Sequence, residues 1–112
     1  MLQKIAPILP AMNLSETNLF YRDKLKFSTQ YFGNYLIVKK DNIEIHFYES
    51  ADKRNFIAAG CYIFDNNVQD LYSKFCSMDM IGPGGDLKQN ARMKWEFRIV
   101  DNNGNELKFT EP

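Results

Sequence analysis

Several things are scarce in this chain. Fourteen basic residues are balanced by fourteen acidic ones, so its 112 residues carry a formal net charge of zero. No overall field draws it to nucleic acid or to an anionic membrane surface, and neither is expected as a partner. There are two cysteines, Cys61 and Cys76, without the spacing of a metal knuckle. They read as small buried hydrophobes in a reducing cytoplasm rather than as a disulfide. No apolar run approaches the ~20 residues that a membrane span needs. The opening Met1-Leu2-Gln3-Lys4-Ile5 lacks the apolar stretch of a signal peptide, so a cytoplasmic location is expected. There is one histidine, His46. Aromatics, in contrast, are plentiful at 14%, within a chain that is 45% hydrophobic and 25% charged. That balance excludes a disordered tail and fits one folded domain. So many rings can fill a core, or they can stack flat ligands.

Periodicity divides the chain into short elements. Residues 3–9 form an apolar run ended by Pro10, which predicts a first strand. Asn13-Leu14-Ser15-Glu16 opens a helix, because the Asn amide oxygen can cap a free N–H and the Glu favours the positive helix end. Leu14, Thr17, Tyr21 and Leu25 then recur at helical spacing. Residues 27–32, 35–40 and 43–49 predict three strands, with hairpin signals at Gly33-Asn34 and Asp41-Asn42. In the third, Ile43, Ile45 and Phe47 fall on one side, and Glu44, His46 and Tyr48 on the other. Residues 50–55 are polar and break the pattern, as a linker does.

The pattern then starts again. Residues 56–64 predict a strand, Asn67-Val68-Gln69-Asp70 repeats the helix opening, and Val68, Leu71, Tyr72 and Phe75 supply a buried stripe. Residues 78–81 predict a short edge strand, and 82–92, beginning Gly82-Pro83-Gly84-Gly85, a flexible loop that could serve binding. In 94–100 the apolar Trp95, Phe97 and Ile99 alternate with Lys94, Glu96 and Arg98, and the parity predicts that Trp95 packs with Phe97 and Ile99 against a helix. A turn at 101–105 leads to a last strand ending at Thr110. EIHFYE at 44–49 and ELKFTE at 106–111 nearly match, as the last strands of two copies of one β-α-β-β-β module would. The expected architecture is one α+β domain over 1–112, with module 1 at about 1–50, a linker at 50–55 and module 2 at 56–112. Neither copy can bury its sheet alone, so the two are expected to pack together.

The segments LPAMNLSETNLFYRDKLKF, DNIEIHFYES, GCYIFDNNVQDLYSKF and DNNGNELKFTEP resemble the glyoxalase/bleomycin resistance protein/dioxygenase (vicinal oxygen chelate) superfamily. The likeness spans nearly the whole chain and is greatest to its bleomycin-resistance branch. It is most specific at Phe20-Tyr21 before Leu25-Lys26-Phe27, at the 67–72 helix start, and at the Asp101…Gly104-Asn105 turn. The resemblance implies paired βαβββ modules forming a half-open mixed-sheet barrel, helices on the convex face and a ligand groove on the concave one. Metal-dependent members hold a divalent ion with His or Glu from the first and last strands of each module, and those slots fall here at Ala6, His46, Gly60 and Lys108. Two have no side-chain donor and one brings an ammonium group, so no metal and no cofactor is expected.

On this resemblance the groove is assigned to His46, Tyr48, Tyr62, Phe64, Glu96, Arg98 and Lys108, with no catalytic residue. Each has a plainer alternative. His46 could act as a general base or a groove hydrogen-bonding group, or could simply be satisfied by Glu44, Tyr48 or a neighbouring strand. Glu96, Arg98, Glu106 and Lys108 could offer both signs of charge to a ligand, or could form ion pairs on a solvated sheet face. For Tyr48, Tyr62 and Phe64 a place in the groove and a place in the core are both open. The expected function is metal-independent sequestration of a small molecule (antibiotic, xenobiotic or metabolite) in grooves at a homodimer interface. Zero net charge and the nearby Lys108 and Arg98 fit a cationic drug such as bleomycin poorly. The alternatives are a lyase, isomerase or dioxygenase on the same scaffold, and a binding module of a larger assembly.

Overall fold

The computed structural model describes residues 1–112. The chain divides into two compact units: Met1–Ala59 with Asp101–Asn105, and Gly60–Val100 with Glu106–Pro112.

The first unit holds β1 (Ile8–Ala11), α1 (Leu14–Leu19), β2 (Ser28–Phe32), β3 (Tyr35–Lys40) and β4 (Ile43–Glu49). Its sheet runs β1-β4-β3-β2, with β1 parallel to β4 and the other pairs antiparallel. Strand alternation turns Leu36, Val38, Ile45 and Phe47 inward, where they meet Leu14, Thr17, Tyr21 and Leu25. Asn13 starts α1 by accepting the Glu16 N–H at 3.0 Å. Where the sequence predicts one uniform helix to Leu25, the chain widens after Leu19 into a π-helical turn, Phe20–Lys24. Leu25 N–H donates to Phe20 O at 3.3 Å, five residues back, and Phe27 N–H to Tyr21 O at 2.9 Å. Tyr21 remains fully buried through that turn. Gly33, at φ +62°, takes the first of two loop positions between β2 and β3, the place a type II′ turn gives to glycine.

This unit is completed by residues distant in sequence. Tyr21 Oη donates to Asp101 Oδ2 at 2.7 Å, and the same carboxylate accepts from the Asn103 and Asn105 backbone N–H groups at 2.8 and 2.9 Å. Asn105, buried, donates its amide to Pro10 O at 2.8 Å and accepts the Ala59 N–H at 2.9 Å.

The second unit repeats the order with β5 (Gly60–Phe64), α2 (Val68–Ser77), β6 (Lys88–Gln89), β7 (Trp95–Val100) and β8 (Glu106–Thr110). Its sheet is β5-β8-β7-β6, again with one parallel pair, β5 with β8. Asn67 caps α2 through the Asp70 N–H at 3.2 Å. Phe97 is the centre of the core, in ring contact with Tyr72, Phe75 and Phe109. Both units thus carry the expected β-α-β-β-β order in mixed sheets, and neither sheet closes on itself.

Several expectations need correcting. The first strand is Ile8–Ala11 and contains Pro10 instead of stopping before it. It lies at the sheet edge, where a missing N–H costs no ladder bond. Residues 56–59 are not strand: Ala59 gives its N–H to the Asn105 side chain. Residues 78–81 form no edge strand, and the fourth strand is Lys88–Gln89, inside the stretch predicted to be a loop. Trp95 shares strand parity with the buried Phe97 and Ile99 but is itself exposed at the strand end. The cysteines form no disulfide, and Cys76 is exposed rather than buried, off the apolar stripe of α2.

Candidate functional site

Strand register on the outward face of the second sheet brings the charged candidates together. Tyr62, Lys108 and Arg98 stand side by side across β5, β8 and β7. Two cations directly opposite one another repel, but Glu106 lies between them. Its carboxylate meets Arg98 Nη1 at 3.1 Å and Lys108 Nζ at 3.5 Å. Lys108 Nζ is also 5.5 Å from the Tyr62 ring centre, within cation–π range. Tyr62 Oη donates to Glu96 Oε1 at 3.1 Å, and Asn90 donates to the same oxygen at 3.0 Å. Tyr62 and Phe64, two residues apart on one face of β5, hold their rings nearly parallel at 18°, and are 51% and 57% exposed. Beside them a cleft of about 170 Å³ is bounded by Gly84, Asp86, Lys88, Glu96, Arg98 and Lys108 among others.

The glycine segment at the rim is held in place. Arg98 donates through Nη2 to Pro83 O at 3.0 Å and through Nε to Gly84 O at 3.3 Å, and its own N–H reaches Gly85 O at 3.2 Å. A Cβ on Gly85 would stand 2.6 Å from Arg98 O and 3.2 Å from Gly82 O. Gly85→Ala is therefore expected to push the segment off β7 and destabilise the protein by roughly 1–3 kcal/mol. Urea unfolding would measure it, and an unchanged midpoint would mean that the segment yields freely.

His46 and Tyr48 belong to the first unit. His46 is satisfied at both ring nitrogens: Tyr35 Oη lies 2.8 Å from Nδ1, and Glu44 Oε2 lies 2.6 Å from Nε2. Sequence reasoning missed Tyr35 as its partner, because only the pairing of Ile37 with His46 brings that strand alongside. Tyr48 pairs with Tyr35 across the strands and is exposed. Hydrogen bonds from His46, and then from Lys4 at 2.6 Å, lower the Glu44 pKa to about 2. A carboxyl depressed in the folded state stabilises it fully above the unfolded pKa, near 4.5, and loses that contribution as pH falls towards 2. The stability difference between wild type and Glu44→Gln should thus be constant above about pH 5 and shrink between pH 4.5 and 2. Denaturant titrations across that range would check it; a pH-independent difference would contradict it.

The residues present do not suit the divalent ion that metal-dependent members of the superfamily hold. Ala6 offers no donor, and His46 already uses both nitrogens. At Gly60 a Cβ would stand 2.8 Å from Glu106 O, so that slot has no room for a longer side chain without a backbone shift. Lys108 brings a positive charge, and no three His, Cys, Asp or Glu side chains gather as a ligand set.

Comparison with known proteins matches this architecture. The fold is that of the glyoxalase/bleomycin resistance protein/dioxygenase superfamily. Within it, the chain's similarity lies with the bleomycin resistance proteins. It is 25% identical to bleomycin resistance proteins of Geobacillus stearothermophilus and Staphylococcus aureus, over 97% of this chain and 96% of theirs. Among solved structures, a bleomycin resistance determinant encoded on the transposon Tn5 superposes with a TM-score of 0.81 at 16% identity, covering 98% of each chain. A glyoxalase/bleomycin resistance protein/dioxygenase from Alicyclobacillus acidocaldarius gives 0.76 at 17% identity, over 97% of this chain and 90% of that one. No family model matches. No helix is long and apolar enough to cross a membrane.

Proposed function

We propose that this protein binds a small organic molecule and sequesters it without transforming it. The observation that carries this reading is the half-exposed Tyr62–Phe64 ring pair beside a cleft lined by charges of both signs. Apolar faces with a few placed polar groups are what small-molecule sites use to exclude water and fix orientation. A bleomycin-binding protein solved in complex with bleomycin has the same fold, with a TM-score of 0.79 at 16% identity over 99% of each chain. His46 and Tyr48 would line the matching face of the first sheet. A homodimer is part of the proposal: Ile8, Phe32 and Tyr48 are exposed, and a second copy would cover them. A cytoplasmic site of action accords with two cysteines that form no disulfide.

The enzyme alternative rests on the Tyr35–His46–Glu44 hydrogen-bonded chain, which has the connectivity of a proton relay. It falls behind because both ring nitrogens of His46 are engaged within that chain, by Tyr35 and Glu44, and neither faces a substrate proton.

Thermal-shift screening against antibiotics and aromatic metabolites tests the reading. A ligand at a hundred times its Kd adds about 2.7 kcal/mol and should raise Tm by roughly 10 °C. Tyr62→Ala should abolish the shift. A shift that survives this change would move the site elsewhere, and recovery of a chemically altered ligand would favour the enzyme.

A further inference from the structure

Resting on that sequestration reading, we infer the ligand's class: an aromatic zwitterion, a flat ring carrying one ammonium and one carboxylate group. The cleft contains three acidic and three basic side chains, Asp86, Glu96 and Glu106 against Lys88, Arg98 and Lys108. They are not equally available. Arg98 is consumed by Pro83 O, Gly84 O and Glu106, and Glu106 by Arg98 and Lys108. This internal pair leaves two groups of each sign.

Lys88 makes no ion pair, and the only ion pair of Lys108 is its 3.5 Å contact with Glu106. Glu96 makes none either, and both bonds it accepts fall on Oε1, leaving Oε2 open. Asp86 accepts only from Tyr72 Oη, at 3.3 Å. A purely anionic ligand would meet the carboxylates of Glu96 and Asp86 without compensation, and a purely cationic one the ammonium groups of Lys108 and Lys88. A dipolar ligand satisfies both.

The aromatic requirement comes from the same residues. Tyr62 carries Lys108 over its ring and Glu96 at its hydroxyl, so the two open charges flank one ring, with Phe64 parallel beside it. A ligand ring laid against this pair would point its carboxylate to Lys108 and its ammonium to Glu96 Oε2.

Isothermal calorimetry on the full chain decides this with four probes: L-tryptophan, its N-acetyl derivative (anion only), its methyl ester (cation only) and glycine (zwitterion without a ring). L-tryptophan should bind, both blocked forms at least tenfold more weakly, and glycine undetectably. Lys108→Met should weaken L-tryptophan tenfold or more while sparing the methyl ester, and Glu96→Gln should likewise weaken L-tryptophan tenfold or more while sparing the N-acetyl form. Tighter or equal binding of either blocked form overturns the zwitterion assignment. If Tyr62→Ala abolishes that binding, sequestration stands and only the ligand class is wrong. Failure of all four probes overturns the assignment too, and sequestration falls with it only if the wider thermal-shift screen is also empty.

Discussion

Replacing Phe97 by Ala is expected to cost about 3–5 kcal/mol, the range found when a buried phenyl ring leaves a cavity that cannot collapse. Phe97 is 2% exposed and touches Tyr72, Phe75 and Phe109, the last nearly parallel at 5.1 Å. Its loss would therefore loosen α2 and β8 together. A domain of this size has about 5–15 kcal/mol in total, so a sharply lower urea midpoint should be seen. Phe97→Leu should recover more than half of the loss. If Phe97→Ala shifted the midpoint by under 1 kcal/mol, the packing of the second unit described above would be wrong.

Asp101→Ala should cost about 3 kcal/mol for a different reason. The carboxylate is 6% exposed and is the acceptor for Tyr21 Oη, the Asn105 amide and two backbone N–H groups. Removing it orphans buried donors, which is worse than never having made the bonds. Tyr21→Phe deletes one donor and leaves the others paired, so it should cost only about 1 kcal/mol. Denaturant unfolding of both variants gives the comparison, and equal losses would show that the hub acts through Tyr21 alone.

The parts of this fold legible in the sequence are those fixed by near neighbours. Asn13 and Asn67 bond an N–H three residues on, so their capping role is written in a four-residue window. Gly33-Asn34 sets its own hairpin, and the alternation in β4, and in β8 as far as Phe109, survives because those stretches bury one face fully and the other only in part. What could not be read depends on register. β6 is two polar residues, Lys88 and Gln89, strand only because Glu96 and Trp95 lie opposite. Pro10 looked like a terminator because nothing local says that its strand is an edge. Arg98 gave no sign that it would hold the glycine segment, since its partners lie 14 and 15 residues earlier. Of the candidate groove residues, Tyr62, Glu96, Arg98 and Lys108 make up one connected cluster, whereas His46 and Tyr48 stand on the sheet of the other unit.

The allocation of Asp101–Asn105 to the first unit bears on the order of events during synthesis. A ribosome that has released residues 1–59 has delivered every strand and helix of that unit but not the polar plug that satisfies Tyr21, Pro10 and Ala59. Those partners lie up to 95 positions downstream, so the amino-terminal half must wait, incomplete, until residues 101–105 have been made. Its maturation is expected to be slow relative to local helix and hairpin formation, and the nascent half is a natural client for holding chaperones.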